Sequence, residues 1–296
     1  MVGKPELVAA LEESRRRTLG LLAPVPDDLQ RVQVSELMSP LCWDLAHIGH
    51  FEELWLVRGL AGAAPSVPRF DDVYDAFRHP RRERPSLDIL DAAGARDYDA
   101  AVRTRALEVL DRIDLDRGDP LLTDGFVYGM IVQHEHQHDE TLLATLQLMH
   151  DFVHPDADGG DGAGWHAGPS PRARPADVLV PGATFVMGTE TEPWAYDNER
   201  PAHTESVDAF RIDTTAVTNG AYARFVESGG YDDRANWTDA GWAWRTQAGL
   251  IAPQFWQRAA DGGWTRHRFG REEALPEDEP VQHVCWYEAD AYARWT

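Results

Sequence analysis

Gln133-His134-Glu135-His136-Gln137-His138-Asp139-Glu140-Thr141 packs three histidines into about two helical turns. At 3.6 residues per turn His134 and His138, four apart, share one face, and both imidazoles can reach a single ion. His136 points roughly the opposite way, so this run supplies two ligands and a third must come from elsewhere in the chain. Formally His134-Glu135-His136-Gln137-His138 also fits the H-E-x-x-H pattern of zinc peptidases, with Glu135 as general base. The downstream third ligand of that pattern is missing, because Asp139 and Glu140 are too close and His150 and His154 sit at the wrong spacing.

A better third ligand lies upstream, in Trp43-Asp44-Leu45-Ala46-His47-Ile48-Gly49-His50-Phe51-Glu52-Glu53. His47 is embedded in an apolar stripe of helical period that runs through Leu41, Leu45, Ile48, Phe51, Leu54, Trp55 and Val57. His50 shares its face at i, i+3 and either replaces it or sits behind it. One histidine from this helix facing two from the other makes a three-histidine site with open positions. Such a ligand set suits Zn, Fe, Cu and Ni alike. With zinc, a bound water becomes the nucleophile of a hydrolysis; with ferrous iron, vacant positions take oxygen and substrate together.

The two histidine helices belong to a helical first half. Helical spacing predicts helices over Pro5–Leu22, from Ser39-Pro40 through Val57, over Asp97–Leu115 and over Gly125–His150, with Ser39 capping the second and Pro40 in its first turn. Four helices of this length imply a bundle, whose interior commonly houses a metal site. A Gly/Ala/Pro/Asp-rich linker is expected over 155–177, dividing a metal-binding bundle (1–154) from a second domain (178–296). That second domain opens on the strand-and-turn pattern Val178 to Gly188 and carries only brief helices such as Asn219–Ser228. Trp194, Trp237, Trp242, Trp244 and Trp256 are expected as core or loop anchors.

Composition narrows the function. The net charge of −22 speaks against binding a phosphate backbone, so no nucleic-acid partner is expected. No run of about 18 apolar residues suggests a membrane span, and Met1-Val2-Gly3-Lys4-Pro5-Glu6 lacks the apolar segment of a signal peptide. Cys42 and Cys285 are the only cysteines and do not make a disulfide framework; a cytoplasmic location is expected.

The motifs also carry a family resemblance. Ser39-Pro40-Leu41-Cys42-Trp43-Asp44-Leu45-Ala46-His47-Ile48-Gly49 with Glu52-Glu53-Leu54-Trp55-Leu56, and the Gln133–Thr141 run, resemble the two signatures of the ergothioneine-biosynthesis sulfoxide synthases, or hercynine oxygenases. Pro181-Gly182-Ala183-Thr184-Phe185-Val186-Met187-Gly188, Asn198-Glu199-Arg200-Pro201-Ala202-His203, Val217-Thr218-Asn219-Gly220-Ala221-Tyr222 and Pro280 to Ala289 resemble the sulfatase-modifying-factor-like domain of that family. The resemblance implies a DinB-like four-helix bundle followed by a C-type-lectin-like domain of the kind found in formylglycine-generating enzymes. It further implies a non-haem Fe(II) enzyme that uses O₂ to join a thiol to C2 of the imidazole of Nα-trimethylhistidine (hercynine) as a sulfoxide.

On the matching positions the resemblance assigns the iron ligands to His47, His134 and His138 and the imidazole-positioning residue to Gln137. An arginine pair spaced by three, which holds the thiol donor's carboxylates, matches Arg81 and Arg84 best, with Arg78 and Arg82 leaving the register open; a guanidinium fork suits a carboxylate. The pair and the Ala/Asp/Arg-rich composition favour γ-glutamylcysteine over cysteine as donor. Glu135, Asp139 and Glu140 are candidates for fixing the imidazole tautomers. The resemblance also implies that the second domain lacks its C-terminal part, and with it the family's catalytic tyrosine, so no residue of this sequence is expected in that role. Two other expectations follow: a DinB-type zinc hydrolase or thiol transferase, and an inactive metal-binding fragment.

Overall fold

A computed structural model describes residues 2–155 and 177–296, so the segment expected as a linker lies, but for its end residues, outside the described residues. Contacts divide the chain into two units. The first holds the N-terminal helices together with Met187–His203; the second holds Thr204–Thr296 with the strands that precede Met187.

The first unit contains four long helices: α1 (Lys4–Leu22), α3 (Leu41–Glu52), α5 (Ala92–Arg112) and α6 (Phe126–Leu148), with short helices α2 (Asp27–Gln30) and α4 (Phe70–Val73) between them. α3 packs mainly on α5, and α1 on α6. Every residue from Leu41 to His50 is buried, because α3 runs through the middle of the unit and is apolar nearly all round. Its last turn widens into a π-helical stretch, Glu53–Gly59, which extends the same rod. Gly49 allows the close approach to α5: a Cβ there would meet the backbone Cα of Asp99 at 3.3 Å and its Oδ1 at 3.0 Å. Leu7, Leu11, Leu56, Ala106, Leu110, Val127 and Ile131 form the apolar core.

Two sequence expectations about this unit change. Ser39 is no cap, since α3 starts at Leu41 with no side-chain capping bond; the Ser39 hydroxyl is buried and accepts from Arg84 Nη1 at 2.7 Å. The third helix begins at Ala92 rather than Asp97, because the Asp91 carboxylate caps it by accepting from Gly94 N–H at 2.7 Å.

The second unit carries small sheets. β1 (Asp177–Val180) pairs antiparallel with β4 (Phe210–Asp213), and β2 (Ala183–Met187) is hydrogen-bonded to β3 (His203–Val207) in a second two-stranded sheet. β5 (Trp256–Arg258), β6 (Trp264–Arg268) and β7 (Arg271–Ala274) form an antiparallel meander. Its second turn, Phe269-Gly270, has both residues at positive φ, the tight two-residue hairpin for which glycine is favoured. Helices α7 (Asn219–Glu227), α8 (Asp239–Ala248) and α9 (Trp286–Trp295) accompany them. Tyr222, Phe225, Tyr231, Trp237 and Ala291 make the core, with Trp242, Trp244 and Trp256 packed against it. No helix among the described residues is long and apolar enough to cross a membrane.

Candidate metal centre

The two histidine helices face each other. His47, on α3, meets His134 and His138, one turn apart on α6, with one ligand nitrogen from each within 4.8 Å of the others. Ring centroids stand 5.1 Å (His47–His134), 4.8 Å (His47–His138) and 4.6 Å (His134–His138) apart.

One of the three rings is oriented by a hydrogen bond behind it, and a second has a carboxylate nearby. His47 Nδ1 lies 2.7 Å from the carbonyl oxygen of Tyr74. A carbonyl only accepts, so Nδ1 carries the proton and Nε2 keeps its lone pair. His138 Nδ1 stands 3.4 Å from Asp44 Oδ1, the carboxylate one turn before His47 on α3. Aromatic planes hold the rings in place. Trp43 stacks on His47 at 4.9 Å and 12°, and Phe51 on His134 at 3.9 Å and 23°.

Burial, reinforced by repulsion from His138 and His134, holds His47 well below the ordinary imidazole range. Burial and then His138 push His134 down to about 3. Neutral imidazole is the form that ligates, so His47 and His134 stay ready to bind at any physiological pH. Three close imidazole nitrogens, one ring with its proton fixed on the far side, fit a divalent transition metal and leave coordination positions for other ligands.

The cluster forms part of the wall of a cavity of about 640 Å³. Trp55, Tyr74 and Phe77 contribute apolar wall; Arg81 and Arg84 line the same space, whereas Arg78 and Arg82 do not. Arg78 instead pairs with Asp72 at 2.9 Å. Arg84 is buried: it donates to Ser39, His79 and Ala76 oxygens, and its guanidinium lies 3.7 Å above the Trp43 ring. Arg81 is exposed and donates to the Leu37 carbonyl at 2.8 Å. His50 also lines the cavity but stays out of the three-histidine group, with Nε2 3.0 Å from Asp71 Oδ1; Asp71 is held in turn by Arg58.

Other residues of the run take different places. Gln137 is exposed and its Nε2 lies 3.2 Å from the Tyr196 hydroxyl. His136 turns away and pairs with Asp139 at 3.1 Å. Glu135 does not fix an imidazole tautomer. It is fully buried in an ion network, accepting from Arg15 Nε at 2.7 Å, Arg103 Nη2 at 3.0 Å, Ser14 and Thr18. Asp139 likewise accepts from Thr18, at 2.7 Å. The zinc-peptidase role for Glu135 therefore fails, since both of its carboxylate oxygens are committed to Arg15 and Arg103. Sequence reasoning missed the groups that do stand behind the ligands. Asp44 could have been found, as a carboxylate one turn from His47 in an apolar stripe; a backbone carbonyl such as that of Tyr74 leaves no sequence signal.

Comparison with known proteins supplies the family. Residues 10–142 match the DinB superfamily, and residues 166–296 match the sulfatase-modifying factor enzyme 1-like domain. The chain is 48% identical to the hercynine oxygenase of Mycolicibacterium thermoresistibile over 99% of its own length and 63% of that protein. It is 45% identical to that of Mycolicibacterium smegmatis (100% and 66%) and 44% identical to that of Mycobacterium tuberculosis (100% and 67%). It thus spans about two thirds of the length of these curated relatives. By this likeness along its whole length, the chain belongs to the hercynine oxygenase family.

Proposed function

We propose that this chain carries the metal and substrate-holding part of an iron(II)-dependent hercynine oxygenase. In this reading it joins a cysteine-containing thiol, γ-glutamylcysteine rather than cysteine, to C2 of the imidazole of Nα-trimethylhistidine with O₂ to give a sulfoxide in ergothioneine biosynthesis. The observation that carries the reading is the convergence of His47, His134 and His138 in one cavity wall, backed by Tyr74 and Asp44. The helical part is read as a DinB-type four-helix bundle and the sheet-bearing part as belonging to a C-type-lectin-like fold; a cytoplasmic location accords with two unpaired cysteines.

His47, His134 and His138 would hold the iron, which when bound supplies a site where thiolate and oxygen are brought together. The Tyr74 carbonyl keeps the Nδ1 proton of His47 on the side away from it, and the Asp44 carboxylate stands 3.4 Å behind His138 Nδ1. Arg81, exposed at the cavity wall, takes a carboxylate of the thiol donor. Arg84, its fork committed to Ser39, His79 and Ala76, adds a fixed positive charge to the same wall. Gln137 offers its amide to the substrate imidazole. Phe51 and Trp55 line the same cavity with apolar surface beside the histidines.

Anaerobic loading of the chain with Fe(II), followed by metal analysis and oxygen-electrode measurement, tests the proposal. Stoichiometric iron, with oxygen uptake that needs both Nα-trimethylhistidine and the thiol, is the expected result. Stoichiometric zinc in the isolated protein, with turnover that survives removal of oxygen, would overturn it in favour of a zinc-dependent transferase.

A further inference from the structure

One row of α6 is occupied by a segment distant in sequence. Gly129, Gln133 and Gln137 are spaced by four and form a continuous stripe, offset by one residue from the row that carries His134 and His138. Trp194 to Tyr196, which belong to the same compact unit as the helix, run along this stripe and touch each of its steps. The Trp194 ring lies so close to Gly129 that a Cβ there would fall 2.3 Å from it. Its indole N–H donates to the Asp124 carbonyl at 3.2 Å. Gln133 Nε2 donates to the Trp194 carbonyl at 3.1 Å, and Gln137 Nε2 to the Tyr196 hydroxyl at 3.2 Å.

The first two steps anchor the segment, since only glycine leaves room for the indole and the Gln133 bond fixes its height along the helix. The third differs in kind. Gln137 is exposed, and an unrestrained glutamine there would sample several rotamers, at a side-chain entropy cost on ordering. Holding one end of its amide fixes the plane of the other end, which stays available to a ligand.

We propose that Tyr196 is a positioning residue, set by the Trp194 anchor, that fixes the Gln137 amide for the imidazole substrate. The inference rests on the reading of Gln137 given above. It makes the segment a specificity element: it acts on the imidazole partner and leaves the thiol partner and the metal alone.

The test uses the iron-loaded chain kept anaerobic and titrates Nα-trimethylhistidine and γ-glutamylcysteine separately by calorimetry. Tyr196→Phe keeps the ring and removes the hydroxyl; it should weaken Nα-trimethylhistidine binding by about 5- to 10-fold, the loss of one hydrogen bond, with thiol affinity and iron content unchanged. Gly129→Ala, which displaces the anchor, should act in the same direction. Gln137→Ala should weaken the same ligand, and the double variant with Tyr196→Phe should be no weaker than Gln137→Ala alone. Strictly additive losses, or equal losses for both ligands, overturn the positioning role while the functional reading stands. A wild-type chain that binds iron but no Nα-trimethylhistidine overturns the functional reading itself.

Discussion

His47 and Tyr74, 27 positions apart, are joined by a 2.7 Å contact between the imidazole Nδ1 and a main-chain oxygen. The direction of the His47 lone pair is therefore set by the fold of the segment after α4 and not by a replaceable side chain. That segment is itself pinned, because the Tyr74 hydroxyl accepts from Leu90 N–H at 2.8 Å and Trp43 Nε1 donates to the Val73 carbonyl at 3.0 Å. His138 is backed by a side chain, Asp44, and this difference between the two ligands can be probed.

Asp44→Asn should weaken metal binding by about 10- to 100-fold, the usual effect of losing the group behind a ligating imidazole. The protein should stay folded, because the substitution is isosteric. Glu140→Gln, at an exposed position of α6, should leave affinity unchanged. Competition with a chromophoric chelator measures both; equal affinities for wild type and Asp44→Asn would remove Asp44 from the site.

Glu135→Gln separates structure from chemistry. Arg15 and Arg103 are both buried beside it and also bind Glu52, at 2.8 Å and 2.6 Å. Although burial works against its charge, these guanidinium groups hold the Glu135 carboxyl below its ordinary range. Losing that charge leaves two buried guanidinium groups sharing the Glu52 carboxylate, which costs about 3 kcal/mol, the low end for a broken buried pair. Denaturant unfolding should show this loss while the folded variant still binds metal at full stoichiometry. Unchanged stability with abolished turnover would instead mark Glu135 as a catalytic base.

The same residues show how far the sequence could be read. Local period sufficed for the long helices, and the i, i+4 spacing of His134 and His138 sufficed to put them on one face. The flank that Glu135 occupies was not legible, because its partners Ser14, Arg15, Thr18 and Arg103 come from two other helices more than thirty positions away. Ser39 shows the converse error. A serine before proline satisfies the local rule for a helix start, but a buried guanidinium, Arg84, competes for its oxygen and wins.

Asp99 supplies the pH dependence. Burial, outweighing the attraction of Arg15, pushes its carboxyl up to about 8. It is protonated in the folded chain when it would be ionised in the unfolded one. Its contribution to stability is thus fully present below about pH 4 and is lost as pH rises to about 8. Asp99→Asn has no proton to lose. The stability of wild type relative to this variant should therefore fall between about pH 4 and pH 8 and level off above it in paired urea titrations; a constant difference across that range would show that Asp99 is ionised in the fold.

Arg81 and Arg84 face one cavity and should nevertheless fail differently. Arg81 is exposed and makes one bond, to the Leu37 carbonyl, so Arg81→Ala should leave stability within about 0.5 kcal/mol of wild type. Its effect should be a weaker thiol donor, seen as a raised KM with kcat little changed. Arg84 holds Ser39 and lies on Trp43, the ring that stacks on His47. Arg84→Ala should therefore lower stability and metal affinity as well as thiol binding. Arg84→Lys should not restore them, because an ammonium can neither fork to the Ser39, His79 and Ala76 oxygens nor stack flat on the indole. Thermal unfolding, metal titration and thiol KM on the three variants check this. Equal profiles for Arg81→Ala and Arg84→Ala would show that Arg84, too, acts only on the substrate.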